Sequence, residues 1–273
     1  MSLLKKVIEV RNTERNKAIG ELIVGAFFYA MRSCEYLTVA AGERKTKRLK
    51  LKNIRFFRNG TLIPHWDPLL TASDFVTVQF EDQKNGEKMD EITQQKSGDL
   101  VLCPVRAWAS IIQRVHRIPG SSSDTHVNAF YDNGKMHYIS GKDVRNALRA
   151  AATIMGKDKL GFNANEIGTH SLRSGAALAM YLDEVPVYSI MLLGRWSSDA
   201  FLRYIRKQVE QFSHNISNRM IRHQHFTHVP QTEQRVSRHD PRQRNNSANL
   251  QTRTNLGGAS NIAARLSRLT MWH

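Results

Sequence analysis

The segment THSLRSG places His170 and Arg173 three residues apart, and LLGRWSSDAFLRYIR carries Arg195, Trp196 and Tyr204. On a helix, His170 and Arg173 share one face. A third arginine, Arg32, lies in the apolar run GAFFYAMRSCEYL, with Glu35 one helical turn on as an orienting partner, and Lys84 sits in the polar turn EDQKNGEK. These residue types suit the cutting of a phosphodiester without a metal. Such a cut needs an attacking oxygen in line with the leaving oxygen, fixed donors for the charged non-bridging oxygens, and a proton for the leaving 5′-oxygen. A guanidinium fork binds phosphate oxygens bidentately and never deprotonates. Lysine or histidine can deliver the proton, and a tyrosine can attack and store the bond as an ester.

Each residue also has a plainer reading. Tyr204, between Arg203 and Arg206, reads equally as a half-buried phenol among solvated arginines. Arg32 reads as a surface partner of Glu35, and Lys84 as a solvated turn residue whose role Lys88 and Lys96 could take. His170 reads as a helix cap, and Arg195 and Trp196 as packing. A charge inside the apolar run around Arg32 is awkward to bury without a ligand, which favours function there.

The elements that must position these groups read as a mixed, mostly helical domain. Residues 13–37 show apolar positions at helical spacing (Ile19, Leu22, Ile23, Phe27, Ala30, Met31) and no proline. Leu49, Leu51, Ile54 and Phe56 suggest a strand ending at the Asn59-Gly60 turn. DFVTVQF and MDEITQQ form a hairpin around Asn85-Gly86. The result is a small three-stranded antiparallel sheet. Pro104 opens a helix, residues 119–140 read as loop with a short strand, and Gly141–Met155 is an Ala-rich helix. His170–Leu182 is a helix capped by Thr169, Val187–Leu193 is a short helix capped by Gly194, and a third helix runs from Ser197 or Ser198 to about Met220. From Pro230 the polar, Arg-containing composition predicts disorder, with a short helix at Ala263–Met271.

Taken together in order and spacing, AMRSCE, DQKNGEK, THSLR and LLGR nine residues before Tyr204 resemble the tyrosine recombinases, or phage-type integrases, over about residues 13–220. The ending LGRW…DAFLRYIR is similar to the Crypton-like recombinases of eukaryotic mobile elements. The resemblance implies the DNA breaking-rejoining catalytic fold over residues 1–229, followed by a basic polar tail at 230–273. It implies that Tyr204 attacks the scissile phosphate to give a 3′-phosphotyrosyl ester. Arg32 and Arg173 would hold the non-bridging oxygens, with Arg195 or Trp196 as a third contact. Lys84 would protonate the leaving 5′-hydroxyl, and His170 would act as general base or phosphate ligand. No metal, nucleotide or other cofactor is implied, because the ester conserves the bond energy. Two departures stand out. Arg195 occupies the position where the family has a histidine, and an arginine cannot shuttle a proton. The matched region begins at the first catalytic-domain helix, without the N-terminal clamp domain of most members. A DNA-binding module of recombinase ancestry with little activity, and a type IB topoisomerase, are the rival expectations.

Charge points the same way. The 273 residues carry 40 Lys+Arg against 24 Asp+Glu, a net +16. From Pro230 on there are seven Arg, no Lys and two acids, so residues 1–229 carry +11 of that excess. This suggests a polyanionic partner, double-stranded DNA first and an anionic membrane surface second. Arg44, Lys45, Lys47, Arg48, Lys50 and Lys52, in a stretch without acids, with Arg203 and Arg206, are the expected backbone contacts. Self-association on DNA follows from the family. Two cysteines, Cys34 and Cys103, form no disulfide framework or zinc motif, and His223, His225 and His228 lack the Cys or carboxylate company of a zinc site. Without a secretory signal or an apolar stretch of spanning length, the sequence predicts an intracellular protein, nuclear if eukaryotic.

Overall fold

The computed structural model of the chain describes residues 2–9, 12–38, 46–82 and 88–196, all within the unit Met1–His214. Lys84, Tyr204, Arg44, Lys45, Arg203 and Arg206 lie outside the described residues. So do the helix expected from 197 or 198, the three histidines 223, 225 and 228, and the 230–273 tail.

Helices α1 (Ser2–Glu9), α2 (Glu14–Phe28) and α3 (Ser33–Tyr36) open the fold. Thr13 caps α2 by accepting from the Asn16 N–H. Strands β1 (Ile54–Arg58), β2 (Thr61–Ile63), β3 (Phe75–Asp82) and β4 (Lys88–Gln95) follow. They form one antiparallel sheet in the order β2-β1-β3-β4. The three-stranded expectation is thus corrected to four. The Asn59-Gly60 turn, both residues at positive φ, folds Thr61–Ile63 back as an edge strand too short and too exposed to show an alternating pattern. Helix α4 (Pro104–His116) then crosses the core. A second hairpin, β5 (Ala129–Asp132) and β6 (Lys135–Tyr138), turns at Asn133-Gly134, where a loop with one short strand was expected. Helices α5 (Gly141–Met155), α6 (Lys157–Leu160), α7 (Thr169–Leu182) and α8 (Val187–Gly194) complete the described residues. The fold class is α+β. No helix among the described residues is long and apolar enough to cross a membrane.

The core gathers Leu22 and Ile23 of α2, Trp108, Ile111 and Ile112 of α4, and Val76 and Val78 of β3. A Cβ on Gly25 would lie 3.1 Å from the Trp108 indole, so this glycine lets α2 and α4 approach closely. The Tyr29 hydroxyl donates to Val76 O at 2.6 Å, and Gln94 Nε2 donates to Phe28 O at 2.9 Å. Both bonds tie the end of α2 to the sheet.

The uninterrupted helix predicted over 13–37 breaks at Ala30, which adopts the left-handed conformation (φ 44°). The Ala30 N–H donates to Phe27 O and the Met31 N–H to Ala26 O, the paired bonds of a Schellman turn. Neither glycine nor proline marks the break. An alanine in this conformation costs about 1–2 kcal/mol, and the stop is maintained by partners for the freed carbonyls. Ala30→Gly is therefore expected to leave stability unchanged or raise it by up to about 1 kcal/mol, because relief of the left-handed strain offsets the added unfolded-state entropy. Ala18→Gly, in the regular part of α2 and fully buried, should lose more than about 1 kcal/mol, since a buried methyl goes with the helix propensity. Urea midpoints compare the two; equal losses would contradict the turn.

Candidate functional site

The break at Ala30 frees Arg32 to start α3, and Glu35, 1% exposed, folds back on it. The Glu35 carboxylate accepts from the Arg32 backbone N–H at 2.8 Å and from Arg32 Nη1 at 3.0 Å. It also accepts from Arg195 Nη2 at 2.8 Å. Arg195 lies at the end of α8, where a second Schellman turn repeats the geometry of the first. The Arg195 N–H donates to Leu192 O and the Trp196 N–H to Met191 O. Here too the left-handed position (φ 55°, ψ 47°) is held by a residue other than glycine, Arg195 itself. The expected cap Gly194 is the last residue of α8 instead. A side chain at Gly194 would collide with the Trp196 ring, which folds back over it.

Three guanidinium groups knit the two helix ends together. Arg173, on α7 and 2% exposed, donates from Nη1 to Ala30 O and from Nη2 to Gly194 O at 2.6 Å. Arg195 donates from Nη1 to Tyr29 O at 3.0 Å and to Leu193 O at 3.2 Å. Arg32 Nη2 donates to Arg195 O at 3.2 Å. Carbonyls at the C-terminus of a helix lack intrahelical donors and carry the negative end of the dipole, so cations are favoured there. Two aromatic rings flank the cluster. Arg195 lies 3.8 Å over the Phe80 ring centroid and Arg173 lies 4.1 Å over that of Trp196. Arg32, Arg173, Arg195 and Glu35 sum to a formal +2, or +1 when Asp90, whose charge also acts on Arg195, is counted. Burial pushes the Arg195 guanidinium pKa down and Glu35 pushes it back up.

Arg195 turns inward, its side chain without exposed surface. Of the two residues expected as a third contact, Arg195 bonds Glu35 and the Tyr29 and Leu193 carbonyls. Its left-handed backbone aims the side chain at Glu35 and Phe80. Arg32, 20% exposed at its side chain, and the partly buried Trp196 are nearer the surface. His170 stands one turn before Arg173 on the exposed side of α7. Thr169 is the first helical residue, and Gly168 takes the capping position expected for it. Partial burial, then the charge of Arg173, pushes the His170 imidazole pKa down, which favours its neutral form.

The stem of the β3–β4 hairpin abuts the cluster through Phe80, paired in register with Asp90. Residues 83–87, including Lys84, connect these strands. Lys96 is removed as an alternative to Lys84. It lies six residues beyond Asp90, about 20 Å along an extended strand, and its Nζ donates to Ala72 O at 2.8 Å.

Among the described residues of the basic run, the three lysines are paired with acids. Lys47 pairs with Asp82 at 2.9 Å, and Lys50 and Lys52 meet Asp124 at 2.9 and 3.0 Å. Hydrogen bonds from Lys50 and Lys52 hold the Asp124 carboxyl down at about 2. Arg48 Nη1 donates to Thr38 Oγ1 at 2.9 Å. Local sequence shows these cations without acids, whereas the fold brings acids from the hairpin and the 119–128 loop. Among the described residues no group of three or more His, Cys, Asp and Glu could hold a metal ion.

The arrangement defines an α+β protein with a largely buried arginine cluster between two helix ends. No family model and no curated protein matches the chain.

Proposed function

We propose that this chain breaks and rejoins DNA strands through a 3′-phosphotyrosyl ester, with Tyr204 as nucleophile. The observation that supports this reading most is the direct contact of Arg32 with Arg195, 163 residues apart, in a cluster that also holds Arg173. These are three of the positions the tyrosine recombinase resemblance assigns to phosphate, and chance gives little reason for them to meet. His170 on the adjoining turn and the hairpin stem beside Phe80 add to it. In this reading the Arg32 and Arg173 guanidinium groups hold the non-bridging oxygens as charge builds on them. Arg195 and Glu35 hold Arg32, and Trp196 faces Arg173. Neutral His170 accepts a proton or a hydrogen bond, and Lys84 protonates the leaving 5′-oxygen. The partner is double-stranded DNA, drawn by the basic balance of residues 1–229.

One observation favours a second reading, a DNA-binding module with little catalysis. Arg173 donates to Ala30 O and Gly194 O, and Arg195 to Tyr29 O and Glu35, as in a purely structural staple. A nicked duplex that loses a short fragment after cleavage separates the two. The full chain should give a band of covalent protein–DNA adduct on a denaturing gel, and Tyr204→Phe should give none while still binding duplex. Binding by the unaltered chain without adduct would favour the module, and absence of both would exclude either. Relaxation of supercoiled plasmid without strand exchange would point to the topoisomerase variant of the same chemistry.

A further inference from the structure

We infer that Trp196 is a positioning residue that holds the Arg173 guanidinium flat for an incoming oxyanion, an inference that rests on the phosphodiester reading above. Arg173 donates along its terminal edge to Ala30 O and Gly194 O. Both of these bonds act on the same edge of the planar group. The guanidinium carbon also lies over the Trp196 ring, 4.1 Å from its centroid, and this contact restrains the group from a second direction.

The chain turn builds this stack. Arg195 in the left-handed conformation reverses the backbone after α8, and the Trp196 N–H bond to Met191 O at 2.9 Å fixes where the indole leaves the main chain. Gly194 leaves the space the ring occupies. The ring packs against the small cluster of Ala177, one turn after Arg173 on α7, and Ile190 of α8. The ring is thus held in apolar contact while the cation lies over it. The same turn that sends Arg195 inward to Glu35 brings Trp196 over Arg173, so one backbone reversal sets two of the three arginines.

A tryptophan that merely fills this small apolar cluster would be replaced as well by leucine as by phenylalanine. A ring that orients a cation would not, because only phenylalanine retains a π face. The full chain, Trp196→Phe and Trp196→Leu are therefore compared on the nicked duplex, measuring duplex Kd and the single-turnover rate of adduct formation. Trp196→Leu should slow adduct formation about tenfold with Kd changed less than about twofold, and Trp196→Phe should stay within about threefold of the unaltered chain. Equal rates for the phenylalanine and leucine variants would overturn the inference and leave the catalytic reading standing. If the unaltered chain forms no adduct, the catalytic reading falls and the stack is judged on inorganic phosphate alone. The Arg173 side-chain Nε–H resonance, identified by its loss in Arg173→Lys, should then shift on titration, at about tenfold higher phosphate in Trp196→Leu than in Trp196→Phe. No shift in any protein, or the same midpoint in all, would overturn it.

Discussion

On the proposed strand-cleaving function, Arg173→Lys should lower the rate of adduct formation on a nicked duplex by about 10²–10³-fold, the loss expected when one preorganised donor to a developing oxyanion is removed. Lysine keeps the positive charge, so long-range attraction to DNA survives and duplex Kd should change little. The planar fork is lost. A single ammonium cannot reach Ala30 O and Gly194 O together while facing a phosphate, and it does not stack on Trp196 as the guanidinium does. Stability should fall as well, by about 1–3 kcal/mol, as one buried carbonyl at a helix end loses its donor. The two effects are separable by measuring the rate well below the unfolding transition of the variant. A rate within about tenfold of the unaltered chain, well short of the loss typical of such a donor, would mean that Arg173 is only a staple.

Glu35→Ala destabilises the fold by about 3–5 kcal/mol, the range for removing one partner of a buried ion pair. The carboxylate is 1% exposed and the Arg195 side chain has no exposed surface. Without Glu35, Arg195 and Arg32 face each other in a medium that water screens poorly, and Arg195 retains its costly left-handed backbone. Three hydrogen bonds to Glu35 also vanish, one of them from the Arg32 backbone N–H that starts α3. Glu35→Gln keeps the shape and one acceptor, so its loss should be smaller. Urea unfolding reads both; a change below about 1 kcal/mol for alanine, the size of an exposed pair, would mean that the arginines find other compensation.

Periodicity and punctuation made much of the frame legible. The β3–β4 hairpin, α4 opened by Pro104, and α5, α7 and α8 lie close to where apolar spacing and turn residues put them. Edge strand β2 was missed because three residues carry no period, and β5–β6 because its Asn-Gly turn lay inside a longer polar stretch. Of the site, the arginines, the Glu35 partnership and the His170–Arg173 face were readable from residue type and spacing. The inward role of Arg195, Phe80 beneath it and the pairing of Lys47, Lys50 and Lys52 with acids were not, since each depends on groups distant in sequence.

By itself, then, the sequence determined the cationic and aromatic side chains of the candidate site, the order in which they occur, and most of the helices and strands that carry them. Those properties depend on local pattern and on the chemistry of single groups. Only the tertiary structure decided that α2 ends before a left-handed Ala30 and that Arg195, rather than Gly194, takes the left-handed position after α8, two turns that local propensity opposes. They hold because arginines from other elements satisfy the carbonyls thus exposed and Glu35 balances part of their charge. Such long-range compensation leaves no periodic trace in the chain.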